Sequence, residues 1–193
     1  MKKMPTLFVR LFDDKGKAIF PVTRDVTQGC EWVLNGDGVA TRKWDGTCCM
    51  VKDGELYARF DYKAGRILPE GAIPCQDEPD EHTGHFPHWV KVTPDNANYK
   101  WHWIAFQKDP LLEDGTYELC GQHFQNNIDR ACESGDILIH HGADVLNVER
   151  TYDGIKNFLS ENVIEGIVFH RENGEMCKIK RSDFCIPWGN KKQ

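Results

Sequence analysis

The stretch ATRKWDGTCCMVKDGELYARFD, residues 40–61, decides how the chain is built. Apolar and polar residues alternate on both sides of Asp53-Gly54, a dipeptide that favours a two-residue hairpin turn, so two antiparallel strands are expected. Counting outward from the turn sets Lys52 against Glu55, Met50 against Tyr57 and Cys48 against Arg59. Gly46 then faces Asp61, and Arg59 lies diagonal to Gly46, beside the loop that carries Lys43. A lysine two residues before an Asp-Gly turn is ordinarily a solvated loop residue. Whether Lys43 is more than that depends on what the rest of the chain brings near it.

A second hairpin is written in EGIVFHRENGEMCKIK, residues 165–180, around Asn173-Gly174. A two-residue turn there sets Glu172 against Glu175, His170 against Cys177, Phe169 against Lys178, Val168 against Ile179 and Ile167 against Lys180. That register predicts one face of Val168, His170, Cys177 and Ile179, and another of Glu165, Ile167, Phe169, Lys178 and Lys180. Two lysines and a glutamate on one half-apolar face make an anion site with a carboxylate beside it.

The rest of the chain bounds the class. At 193 residues, 40% hydrophobic and 28% charged, it is long enough for one real core, and a single domain over residues 1–193 is expected. Arg10 and Asp13 interrupt the N-terminal apolar residues before a signal-peptide core forms, and the apolar runs are strand-length, well short of the ~20 residues of a membrane helix. A cytoplasmic location away from membranes is expected. Eight cysteines then read as reduced thiols, with Cys48 and Cys49 on opposite faces of a strand. A net charge of −6 excludes a globally basic surface, so any contact with a polyanion must be local.

Helical signals are sparser. In YDGIKNFLSENV, residues 152–163, Asp153 is an N-cap candidate with Ile155, Phe158 and Leu159 on one face, and NNIDRACESG, residues 126–135, suggests a shorter helix. In YKWHWIAF, residues 99–106, Trp101 and Trp103 share a face if the segment is a strand. The Pro-, Gly- and acid-rich residues 68–96 read as a long surface excursion. The expected class is α+β, mostly antiparallel sheets with flanking helices.

In chain order the pieces are KWDG at 43–46, Arg59, YELCG at 117–121, EGIVFH at 165–170 and KIK at 178–180. This set resembles the covalent nucleotidyltransferases, the superfamily of polynucleotide ligases and mRNA capping enzymes. Within it the chain is similar to the ATP-dependent 5′-to-3′ RNA ligase family of vertebrates. The stretches GVATRKWDGTCC, PDEHTGHFPHWVKV, YKWHW, IHHGA and IEGIVFH carry this likeness across most of residues 28–188. It departs from the superfamily's EG-x-V-x-K pattern at His170, where lysine is usual.

The resemblance implies an adenylation domain that uses ATP with Mg²⁺ (or Mn²⁺) and joins RNA ends bearing a 5′-phosphate and a 3′-hydroxyl. Lys43 is the implied nucleophile toward the α-phosphate of ATP, which requires a neutral amine. A free lysine has a pKa near ~10.4, so neighbouring cations or desolvation must lower it. Arg59, Lys178 and Lys180 would do so while neutralising phosphates. Glu165 would hold metal, and Glu118 would bind the ribose hydroxyls. A residue of ILIHHGA, His140 or His141, would stack on adenine, with His140 at about the right distance after Glu118. Asp45 and Arg59 would help orient the later steps. Only 13 residues follow Lys180 (193 − 180), so the OB-fold usual in DNA ligases and capping enzymes is not expected. A monomer is expected.

Other readings remain in view: a stand-alone DNA-joining enzyme, or a non-catalytic RNA- or nucleotide-binding domain that stacks bases on YKWHWIAF. Cys75, His82, His85 and His88 also offer zinc-type ligands, although their spacing matches no common zinc pattern.

Overall fold

The structure is a computed structural model and describes residues 4–63, 65–81, 84–109 and 111–189. Its strands and α-helices, in chain order, are β1 (Leu11–Phe12), β2 (Ala18–Ile19), α1 (Glu31–Leu34), β3 (Val39–Lys43), β4 (Thr47–Lys52), β5 (Glu55–Tyr62), β6 (Ile73–Pro74), β7 (Phe86–Lys91), α2 (Lys100–Phe106), β8 (Gly115–Gly121), β9 (Asp136–His140), β10 (Val145–Leu146), α3 (Tyr152–Glu161), β11 (Gly166–His170) and β12 (Met176–Lys180). The class is α+β with antiparallel sheets, as expected. Among the described residues no helix is long and apolar enough to cross a membrane.

Two compact units divide the chain. One is the continuous segment Asp45–His141, and the other joins Met4–Trp44 to the chain from Gly142 onward. Each has its own buried cluster.

In the continuous unit six strands run in the order β6-β7-β5-β4-β8-β9. The first hairpin forms in the expected register, with Met50 opposite Tyr57 and Lys52 opposite Glu55. Strict alternation sends Cys49, Val51, Leu56, Ala58, Tyr117, Leu119 and Leu138 into the core, where helix α2 covers them. The segment YKWHWIAF is therefore a helix and not a strand. Asn96 accepts the Asn98 N–H and starts a helical turn that continues into α2. His102 and Ala105 are buried while Trp101 and Ile104 face outward, a spacing of three that a helix satisfies. Residues 126–135 form no α-helix. Gln125, Asn126 and Asn127 take left-handed backbone angles (φ 46°, 57° and 47°), and the Asn127 side chain bonds both the Ala131 N–H and the Cys132 carbonyl. Asparagine side chains compete with helical bonds in this way.

In the discontinuous unit four strands run β10-β3-β11-β12, and residues 5–7 lie parallel to β12, with the Leu7 N–H donating to the Lys178 carbonyl. Helix α3 starts two residues earlier than Asp153 suggests. Thr151 is its cap, accepting the Gly154 N–H at 3.0 Å, while Asp153 sits in the first turn and pairs with Arg24. Ile155 and Leu159 are buried as expected.

The second hairpin departs from its expected register. Gly166 faces Lys180, Ile167 faces Ile179, Val168 faces Lys178, Phe169 faces Cys177 and His170 faces Met176. The loop has three residues rather than two. The Gly174 N–H donates to the Arg171 carbonyl, the Arg171 N–H donates to the Glu175 carbonyl, and Gly174 takes a left-handed φ of 86°. That is a tight turn followed by a left-handed glycine, the usual three-residue hairpin. A one-residue slip exchanges faces on β12, so Lys178 and Lys180 lie with Val168 and His170, and Ile167 and Phe169 lie with Cys177 and Ile179 in the core.

Candidate functional site

Three strands of the discontinuous unit place the cations. β11 pairs with β12 on one side and β3 on the other, so Lys43, Gly166 and Lys180 form one row across the sheet, and Thr41, Val168 and Lys178 form the next. Residues in register share a face. The three lysines therefore project together by backbone geometry alone. Gly166 keeps that row close: a Cβ there would come within 2.3 Å of the Ile179 carbonyl oxygen.

Glu165 completes the arrangement from just before β11, where strand alternation no longer governs it. Its Oε2 pairs with Lys43 Nζ, its Oε1 lies 3.5 Å from Lys180 Nζ, and it is 7% exposed. Lys43 Nζ also donates to the Trp44 carbonyl at 3.3 Å. Burial first, and then the charges of Lys43, Lys180 and Arg10 against the pull of Glu165, bring Lys178 down to about 8. One carboxylate is thus shared among cations whose mutual repulsion it only partly offsets.

Arg10 was not singled out in the sequence. Its guanidinium donates to Asp183 Oδ1 at 2.6 Å, and Asp183, fully buried, accepts the Lys180 N–H on its other oxygen at 2.8 Å. Asp183 therefore ties Arg10 to the end of β12. No local pattern in MPTLFVRLF could announce this, because the partner lies 173 residues away. His170, where the superfamily pattern has lysine, stands on the lysine face with Nε2 2.9 Å from Thr41 Oγ1.

In the continuous unit a second polar cluster forms on the sheet face opposite the core. Cys48 faces Glu118 across β4 and β8, and the Cys48 thiol, pushed up to about 12 chiefly by burial and then by Glu118, also feels Arg59. Arg59 and Glu118 thus flank Cys48. Arg59 Nε also donates to Asp61 at 3.2 Å. The Gly46 N–H donates to Glu118 Oε1 at 3.1 Å, and the Asp45 N–H donates to Asp129 at 2.6 Å, which fixes the turn after Lys43.

Of the two histidines, His141 meets Glu118, with Nε2 3.0 Å from Oε2 and Nδ1 3.0 Å from Thr116 Oγ1. His140 faces Tyr117, on the other side of the sheet, its ring edge-on at 5.0 Å. Ile139 is the residue in register with Glu118. Strand parity from Glu118 was the signal that separates the two, once β8 and β9 are paired. Among the described residues Cys75, His85 and His88 form no metal-type group, and His82 lies outside the described residues.

Lysines thus converge on a buried carboxylate on one face of an antiparallel sheet in an α+β protein, a grouping whose charge suits an anion. The chain is 26% identical, over an alignment of 226 residues, to RNA ligase 1 of Danio rerio, which covers 77% of this chain and 68% of that protein. It is also 26% identical to RNA ligase 1 of Pongo abelii, covering 78% and 68%. No protein-family model matches.

Proposed function

We propose that the protein is an ATP-dependent RNA ligase with a nucleotidyltransferase fold and that Lys43 is its nucleophile. The observation that carries this reading is the row Lys43–Gly166–Lys180, with Lys178 one row below and Glu165 bonded to Lys43. The likeness to proteins named RNA ligase 1 points the same way.

The donor set suits a nucleotide triphosphate with its metal. Lys178 and Lys180 neutralise phosphate oxygens, and Glu165 is the carboxylate suited to hold Mg²⁺ or metal-bound water. Were magnesium bound there, Glu165 would hold it, and the ion would supply positive charge to neutralise the departing pyrophosphate. An opposite charge beside an amine favours its ammonium form, so the Lys43–Glu165 pair is a resting arrangement. Engaging Glu165 elsewhere would remove its hold on the ammonium form of Lys43, and the charges of Lys178 and Lys180 would then favour the neutral amine.

In the first step the ammonium proton of Lys43 passes to solvent, the Lys43 Nζ–P bond forms, and the bond from the α-phosphorus to pyrophosphate breaks. The AMP then transfers to an RNA 5′-phosphate, a 3′-hydroxyl attacks that activated end, and AMP departs. By resemblance Glu118 takes the ribose hydroxyls, Asp45 and Arg59 orient the later steps, and adenine stacking falls to a residue of ILIHHGA.

Incubation with ATP and Mg²⁺, followed by intact-mass measurement, should reveal one added AMP. Lys43→Ala should remove the adduct completely while leaving far-ultraviolet circular dichroism unchanged. No adduct on the wild-type chain would sink the reading in favour of a non-catalytic binding domain. Sealing of nicked RNA but not nicked DNA is the expected end-point, and the opposite preference would make it a DNA-joining enzyme.

A further inference from the structure

Cys48, Glu118 and His141 bring a sulfur, a carboxylate oxygen and an imidazole nitrogen within 4.8 Å of one another. The three come from different places in the sequence, and the fold assembles them. Register sets Cys48 opposite Glu118 on β4 and β8, and His141 directly follows β9. All three are half-buried.

Each ligand is oriented from behind. Glu118 Oε1 is held by the Gly46 N–H at 3.1 Å, which leaves Oε2 turned toward His141. The His141 ring is held by Thr116 Oγ1, 3.0 Å from Nδ1. A hydroxyl can donate or accept. Without an ion, the Thr116 hydroxyl donates to Nδ1 while Nε2–H donates to Glu118. With an ion, Nδ1–H donates to Thr116 and Nε2 turns its lone pair to the metal. Hydrogen bonds of this kind orient metal ligands and fix the histidine tautomer.

We infer that Cys48, Glu118 and His141 form a binding site for one divalent cation of the zinc class. Sulfur and nitrogen donors select zinc-like ions over magnesium, which demands an octahedron of oxygens. Three protein ligands leave the fourth position of a tetrahedron open. On binding, the Cys48 sulfur–metal bond forms and the thiol proton leaves to solvent; the imidazole proton moves from Nε2 to Nδ1 with no net loss. Small shifts bring the three atoms to the usual distances of about 2.0–2.3 Å from the ion.

The site stands independently of the proposed reaction, but one consequence rests on that reading. Glu118 cannot serve both a zinc-class ion and a ribose, so such an ion inhibits nucleotide use.

The test is spectroscopic and needs no activity. The full chain, reduced with a phosphine, is titrated with Co²⁺ in the absence of nucleotide. One ion per chain should bind, with a thiolate-to-cobalt charge-transfer band in the near ultraviolet and the visible absorption of tetrahedral cobalt, and Zn²⁺ should displace it. Cys48→Ser should abolish the near-ultraviolet band, and Cys75→Ser should leave it intact. Thr116→Val should weaken binding about tenfold or more through the loose imidazole. His141→Gln, at a half-exposed turn, should weaken it further and carries the test should Cys48→Ser fail to fold. Absence of the charge-transfer band from the wild-type chain overturns the inference. So does a band that persists in both the Cys48 and His141 variants. Because the readout ignores AMP transfer, its failure leaves the ligase reading untouched, and a missing AMP adduct leaves the metal site untouched.

Discussion

Lys178 carries the charge cost of its site most directly. Burial and three neighbouring cations lower its pKa from 10.5 to about 8, so the folded chain binds its proton less tightly than the unfolded chain does. Below pH 8 the charged form is present in both states and the fold bears the full penalty. Between pH 8 and 10.5 the unfolded chain holds more protons, and stability from this group rises with pH. Lys178→Met should therefore raise the urea midpoint at pH 7, and the difference from wild type should fade by pH 10.5. Phosphate binding runs the opposite way: affinity should fall as pH rises through 8, and the Met variant should lose that step. A midpoint difference independent of pH would show that packing, not charge, sets the effect.

Among the elements, the β11–β12 hairpin shows what was legible and what was not. The dipeptide Asn173-Gly174 marks a turn correctly but does not fix its length, and the loop of three residues moves every partner by one. The better register signal was the pattern across both strands. Pairing Ile167 with Ile179 and Phe169 with Cys177 gathers four apolar side chains on one buried face, whereas the two-residue turn mixes lysines among them. Around Asp53-Gly54 the turn and the pattern agree, and the register came out as read. The convergence of Lys43, Glu165, Lys178 and Lys180 was legible as chain order, because each lies in a short motif. Arg10, Asp183 and His141 were not, because their partners are fixed only when distant strands pair. Gly166 is the element's tightest point. Gly166→Ala drives a methyl against the Ile179 carbonyl, 2.3 Å away, and backbone cannot yield as a side chain can. The expected loss is about 1–3 kcal/mol of unfolding free energy, read by denaturant melts. Gly174→Ala, with open space at its Cβ, should cost only its left-handed backbone, about 1 kcal/mol. Asp183→Asn should be the more damaging change at the end of β12. It removes a buried charge partner from Arg10 and weakens the acceptor for the Lys180 N–H, and about 1–3 kcal/mol should be lost with it.

Over the whole molecule the charge is −6, so attraction to a polyanion has to come from a local group of cations. On the discontinuous unit that group is Lys43, Lys178 and Lys180 around Glu165, while Arg10 is already neutralised by Asp183. Three ammonium groups less one carboxylate leave a net charge of about two at neutral pH, enough to displace counterions from about two phosphates. For a single strand each phosphate contributes about −0.7 to the slope of log K against log salt, so a 5′-phosphorylated RNA should bind with a slope of about −1.4. Duplex binders that grip many phosphates have far steeper slopes, so the two cases separate cleanly in a fluorescence-anisotropy titration at several salt concentrations. Lys180→Met should flatten the slope by about 0.7, because one phosphate loses its counter-charge, and removing the 5′-phosphate from the RNA should do the same. A slope steeper than about −4 that neither change alters would place RNA recognition on another basic surface. The lysine face would then serve only the nucleotide.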